Sequence, residues 1–206
     1  MITFFKIITY IFQPLLIPTY GIILLMQLSL FQLFPTSYRL FAIAGTVLFT
    51  CILPSLPILF MMKNRQISDI FISKREERTM PYLFSLLAYI FWVLFLWRTL
   101  QFPMEFVLLA IGSIVSVVLM VFINLKWKIS AHTAGMGGLI GGIFGVAFVA
   151  AINPVWIITA AIIIAGLVAI SRILLKAHTL SQVIGGFFLG FACVFIPVIV
   201  YNFLFK

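Results

Sequence analysis

Apolar residues in this chain come in long runs separated by short polar breaks. Seven runs, at roughly 7–34, 40–62, 80–97, 105–125, 132–151, 154–170 and 179–205, approach or exceed the roughly 17 to 25 residues that a membrane-crossing helix needs. The first run is the least regular. Pro14 and Pro18 each lack the N–H that a helix interior uses, which predicts a bent or re-entrant segment covered by neighbouring protein. Pro54 and Pro57 predict a kink in the second run. One long polar stretch interrupts the pattern, KNRQISDIFISKREERTMP at 63–81. AAINPV and TLQFP read as plain turns, whereas SAHTAG and SRILLKAH carry polar and basic side chains. With no repeat, low-complexity tract or linker, the pattern predicts an all-α polytopic membrane bundle of six to seven spans, a single membrane domain over 1–206.

Composition removes the soluble alternative. Only 8% of residues are charged and 65% are hydrophobic, whereas a soluble domain carries roughly 25% charged residues. The formal charge of +9 sits in the breaks, where Lys and Arg set membrane topology, so it does not point to nucleic acid. Cys51 and Cys193 lie inside apolar runs and read as small buried hydrophobes. The apolar run after Lys6 outlasts a signal-peptide core and has no clear small-residue cleavage site, so it reads as a retained first span. Gly135, Gly137, Gly138, Gly141, Gly142 and Gly145 precede no GK[ST] and follow no strand, so they read as close helix packing and not as a phosphate loop.

If each run crosses once, the breaks after the second, fourth and sixth share one side of the membrane. They hold Lys74, Arg75, Arg78, Ser130, His132, Arg172, Lys176 and His178, including both histidines of the protein. Cations and imidazoles gathered at one end of a bundle, in a chain with only four acidic residues, point to a multiply charged anion such as phosphate. Lys63, Arg65, Lys126 and Lys128 read as ordinary interfacial residues, and Lys176 as one that snorkels to the headgroups.

These residues carry a resemblance. Ser171-Arg172, five residues, then His178, with Gly186 and Gly190 following, is similar to the third signature of the type 2 phosphatidic acid phosphatase family, SR, five residues, H, three residues, D. Ile129-Ser130-Ala131-His132 echoes the second signature, PSGH, and KREERTMP, from Lys74 through Arg78 to Pro81, echoes the first. The resemblance spans about residues 63 to 190, with the site at 63–81, 126–133 and 171–182. It implies a metal-independent lipid-phosphate phosphatase without cofactor, acting on a phosphatidate, phosphatidylglycerophosphate or polyprenyl (di)phosphate. His178 would be the nucleophile that forms a phosphohistidine, and His132 the acid that protonates the leaving oxygen and then the base that activates water. Arg172, Lys74, Arg78 and Ser130 would hold the phosphate. Imidazole suits both histidine roles because its ordinary pKa lies near 6.5.

The third signature ends in Asp, and this chain has Gln182 in its place. A neutral amide oxygen still orients the imidazole through Nδ1–H but stabilises its charged form less. Two functions therefore remain in view, the phosphatase and a noncatalytic relative that binds or moves a lipid phosphate. A membrane prenyltransferase needs paired aspartate motifs, and Asp69 is the only Asp in the chain. The expected location is a bacterial inner membrane. Ten Lys and Arg fall on the motif side, against Arg39, Arg98 and Lys206 on the other. That bias predicts a cytoplasm-facing site, although many bacterial relatives in the family work on the outer leaflet.

Overall fold

The computed structural model describes residues 2–69, 72 and 74–205. Lys206, counted in the charge bias, and Ile70, Phe71 and Ser73 of the 63–81 break lie outside the described residues. Among those described every regular element is helical. Seven stretches are long and apolar enough to cross a membrane: Ile2–Leu25, Thr36–Lys63, Glu76–Thr99, Met104–Asn124, Ala131–Val149, Val155–Leu174 and Leu180–Phe205.

The first stretch is two helices, α1 (Ile2–Ile11) and α2 (Ile17–Leu25), joined by a 3-10 turn at Pro14–Leu16. Only Pro14 marks the break. Pro18 falls in the first turn of α2, where the missing N–H has no intrahelical partner to lose. The run expected to continue to residue 34 leaves the helix after Leu25 and folds through the short α3 (Ser29–Gln32), anchored by buried Phe31.

The second stretch is α4 (Thr36–Val47), a π turn at Leu48–Ile52 and α5 (Leu53–Lys63). The widened turn lies just before Pro54, which occupies the first turn of α5. Thr46 Oγ1 and Thr50 Oγ1 each donate to a carbonyl four residues back at 2.8 Å, satisfying hydroxyls that lipid could not. The remaining helices are α6 (Thr79–Leu94), extended by a π turn at Phe95–Thr99, then α7 (Met104–Asn124), α8 (Ala131–Val149), α9 (Val155–Leu174) and α10 (Leu180–Phe205).

One buried cluster joins Met26, Phe31, Trp92, Leu96 and Phe106, and a second joins Ile17, Met136, Ile140 and Val168. The outward faces are equally apolar, with Trp156 84% and Phe188 63% exposed, as expected where the surrounding solvent is hydrocarbon.

Because lipid tails are as apolar as the side chains, helices in a bilayer associate through close packing. The glycine pairs Gly137/Gly141 on α8 and Gly186/Gly190 on α10 supply it. A Cβ on Gly190 would overlap the Ala134 carbonyl oxygen, and one on Gly137 the carbonyl oxygen of Phe187. The two backbones meet without side chains between them. This contact fixes the N-terminus of α8 beside that of α10, where the Ser130 amide donates to the Gln182 carbonyl at 3.3 Å.

Candidate active site

The three motif-bearing breaks are tied together by hydrogen bonds across the sequence. Asn124 Nδ2 donates to the Arg75 carbonyl at 3.0 Å, and Arg75 Nη1 to the Leu125 carbonyl at 3.2 Å. Arg78 is 4% exposed. Its Nε donates to the Ile72 carbonyl at 2.8 Å and its Nη1 to the Ile129 carbonyl at 3.0 Å. These bonds hold the guanidinium against the segment that leads into Ser130 and His132.

Arg172 and His178 are joined by the way α9 ends. The Lys176 amide returns to the Ile173 carbonyl at 2.9 Å and the Ala177 amide to the Arg172 carbonyl at 3.0 Å. Lys176 adopts a left-handed conformation at φ 52°. This is the reversal that glycine usually makes at a helix C-terminus. It carries the His178 amide back to the Arg172 carbonyl at 3.2 Å. Arg172 is 2% and His178 7% exposed.

The start of α10 completes the arrangement. Thr179 Oγ1 accepts from the Gln182 amide at 3.4 Å, while the Thr179 amide donates to Gln182 Oε1 at 3.2 Å. This is a reciprocal capping box. The same Oε1 meets His178 Nδ1 at 3.1 Å. An atom that accepts from a backbone N–H is the amide oxygen, so His178 must donate through Nδ1–H and keep the lone pair on Nε2. Burial first, then Arg78 and Arg172, push the His178 pKa down to about 3, against the raising effect of the Gln182 bond. In the ligand-free site it is neutral over the physiological range. Its folded pKa lies below the ordinary ~6.5, so it withdraws stability as pH falls from about 6.5 towards 3.

His132 stands in the first turn of α8 and is 6% exposed. Its Nε2 is buried without a hydrogen-bond partner among the described residues. Arg172, His178 and Arg78 all act on it electrostatically. The two imidazoles and two guanidiniums are all buried and lie close enough to act on one another. Asp69 is the carboxylate that acts on Arg172.

Ser130 and Lys74 are placed otherwise. Ser130 is wholly buried as the N-cap of α8, its Oγ accepting from the Thr133 amide at 3.4 Å. With its own amide donated to Gln182, neither the Ser130 nor the Thr133 N–H is free for an anion. Lys74 is exposed and pairs with Glu77 at 3.1 Å, outside the buried convergence.

Lys128 belongs nearer the site than an interfacial lysine would. Burial, then Arg78 and Arg172, hold its pKa below the usual lysine value, and it acts in turn on His178. The capping box was readable in the sequence as Thr-x-x-Gln, directly after His178. Nothing in the sequence marks Lys176 for a left-handed turn.

Among the described residues no group of three His, Cys, Asp or Glu side chains is placed to hold a metal ion. The chain matches no family model, and no curated protein or solved structure matches it significantly.

Proposed function

We propose that this chain is a membrane lipid-phosphate phosphatase working through a phosphohistidine on His178, in the manner of the type 2 phosphatidic acid phosphatases it resembles. The observation that carries the reading is the Gln182 oxygen, shared between the Thr179 amide and His178 Nδ1, which leaves the lone pair on His178 Nε2 within the electrostatic reach of Arg78 and Arg172. Attack by Nε2 forms the N–P bond as the bond from phosphorus to the lipid oxygen breaks. His132, charged by a proton taken up with the phosphate, delivers that proton from Nε2 to the leaving oxygen and becomes neutral. Deprotonated His132 then takes a proton from water, whose oxygen displaces His178 and releases inorganic phosphate. Arg172 and Arg78 hold the nonbridging oxygens through donors already in place.

Gln182 also favours a second reading, a noncatalytic protein that binds or moves a lipid phosphate, because an amide supports the charged intermediate less than a carboxylate does. Inorganic phosphate released from detergent-dispersed phosphatidate and polyprenyl phosphates, in excess chelator, separates the two. Release by the wild type and none by His178→Ala supports the phosphatase. Binding without release supports the second reading.

The charge excess on the motif side favours a cytoplasm-facing site, in a bacterial inner membrane. In intact cells, with Cys51 and Cys193 replaced, a cysteine substituted for exposed Gln66 should resist an impermeant maleimide. Labelling without permeabilisation puts the site outside.

A further inference from the structure

Inside the bundle lies an apolar cavity of about 200 Å3, with walls from α2, α6, α7, α8 and α10. One end is at Tyr82 and Ala131, and the other at Ile152, Pro154 and Ile157 beyond the far end of α8. Ala131 lies between Ser130 and His132, and Tyr82, four residues after Arg78, lies within its electrostatic reach. The upper end therefore adjoins the buried cations.

The wall formed by α8 alternates small residues with Leu139, Ile143 and Val146. Gly137 and Gly141 face α10, whereas Gly135, Gly138 and Gly142 line the cavity. Two of the hydroxyls in the lining are turned back on their own helices. Ser85 Oγ donates to the Pro81 carbonyl at 2.8 Å and Ser113 Oγ to the Leu109 carbonyl at 3.1 Å. A polar ligand would find few partners here, and an apolar one only dispersion contacts. From Ala131 to Val146 the α8 wall runs about 22 Å at 1.5 Å per residue. The path open to the centre of a water-sized sphere has a volume of about 200 Å3, and a space this long and narrow suits one extended hydrocarbon chain better than two.

We infer that this cavity holds the single hydrocarbon tail of a phosphorylated lipid, drawn into the bundle with its phosphate at the cation cluster, and that the glycines of α8 set the chain length it accepts. The headgroup end rests on the phosphate reading above; the tail end rests on the cavity. Gly142 is the gauge. It lies about 16 Å along α8 from Ala131. A Cβ there meets Val194 and Leu109 side chains at ordinary distances of 3.6 and 3.7 Å, so a larger side chain can grow into the cavity without striking backbone.

The test photolabels the purified full chain with octadecyl phosphate carrying a diazirine at the tail end. Adducts are expected on Val146 or Ile157. Gly142→Phe should reduce them at least about tenfold, since excluding two methylenes from an apolar site already costs that much affinity. Hexyl phosphate with the same label should still mark the region of Tyr82 and Ala131 in the variant, showing that it is folded. Adducts confined to outward-facing Phe148, Ile163 or Phe188 overturn the tail site. Equal competition by a two-chain phosphatidate overturns the single-chain claim. Phosphate release on the same samples tests the headgroup reading separately. Cavity adducts without release leave the tail site standing and remove the phosphatase; release with adducts only outside does the reverse.

Discussion

The two ends of this bundle bury polar groups in opposite ways. At the end away from the motifs, Trp92 Nε1 donates to Thr46 Oγ1 at 3.0 Å and Tyr38 Oη to the Leu100 carbonyl at 2.8 Å. The connections there are sealed by rings, Phe31 against Phe102 and Phe106 with centroids 5.0 and 5.1 Å apart. Those donors are neutral and have found acceptors. The motif end buries charge as well: two guanidiniums, Arg78 on the Ile72 and Ile129 carbonyls and Arg172 near Asp69, together with two imidazoles, of which His132 has an Nε2 without a hydrogen-bond partner among the described residues. Taking charge out of water costs several kcal/mol per ion unless it is well compensated, and stability alone gives no reason to gather like charges. The difference directs the search for function to the end where cations gather, which is where the proposed reading puts the phosphate.

The comparison breaks most sharply if its two ends respond alike. Arg172→Ala should lower turnover on a lipid phosphate by about 10²–10³-fold, the usual effect of losing one preorganised donor to a developing charge, with little loss of thermal stability. Tyr38→Phe at the sealed end should do the opposite, costing about 1 kcal/mol of stability for a lost hydrogen bond while turnover stays at the wild-type value, since Tyr38 lies outside the cavity lining. Thermal unfolding and phosphate release on the same preparations measure both. Equal loss of activity in the two variants would mean that the cations serve only as structure.

A smaller effect is expected at Gln182. Gln182→Glu keeps the capping box and the reach to Nδ1 but puts a carboxylate beside the imidazole, which favours the imidazolium and raises the His178 pKa. Protonated His178 is no nucleophile. The carboxylate also stabilises the charged phosphohistidine, so the variant should turn over faster at pH values where His178 is still neutral and lose activity as pH falls through the raised value. The wild type, whose His178 pKa lies at about 3, should show no such acid limb above about pH 5 from this group. The pH dependence of kcat/KM for the two proteins decides it.

The smallest expected change is Lys176→Gly. The left-handed turn costs a residue with a Cβ about 1 kcal/mol, so glycine should raise the unfolding midpoint by a degree or two while turnover is retained. A drop in stability would mean that the Lys176 side chain, and not its backbone, holds Arg172 and His178 together.

Most of the span layout was legible because a bilayer demands long apolar runs, and the runs are there to read. The proline effects were less so. Pro14 breaks the first span but Pro18 starts a helix, and the sequence does not say which proline will fall in a first turn. At the site, the three breaks could be placed on one side by parity, and the pairing of His178 with Gln182 follows from four-residue spacing. Which cations would turn inward could not be read. Lys74 and Arg78 lie four residues apart on one polar stretch, yet Lys74 finds Glu77 at the surface and Arg78 finds the Ile129 carbonyl inside. That choice is made by α7 and α8, which are distant in sequence.

The most direct test of the account is to catch the covalent intermediate. Wild-type protein mixed with a phosphorus-labelled lipid phosphate and quenched in alkaline detergent, conditions that spare an acid-labile N–P bond, should carry label on the peptide containing His178. His178→Ala should carry none, and His132→Ala should retain more than the wild type because water attack is slowed. Phosphate release with no label at His178, or label unaffected by His178→Ala, would contradict the account.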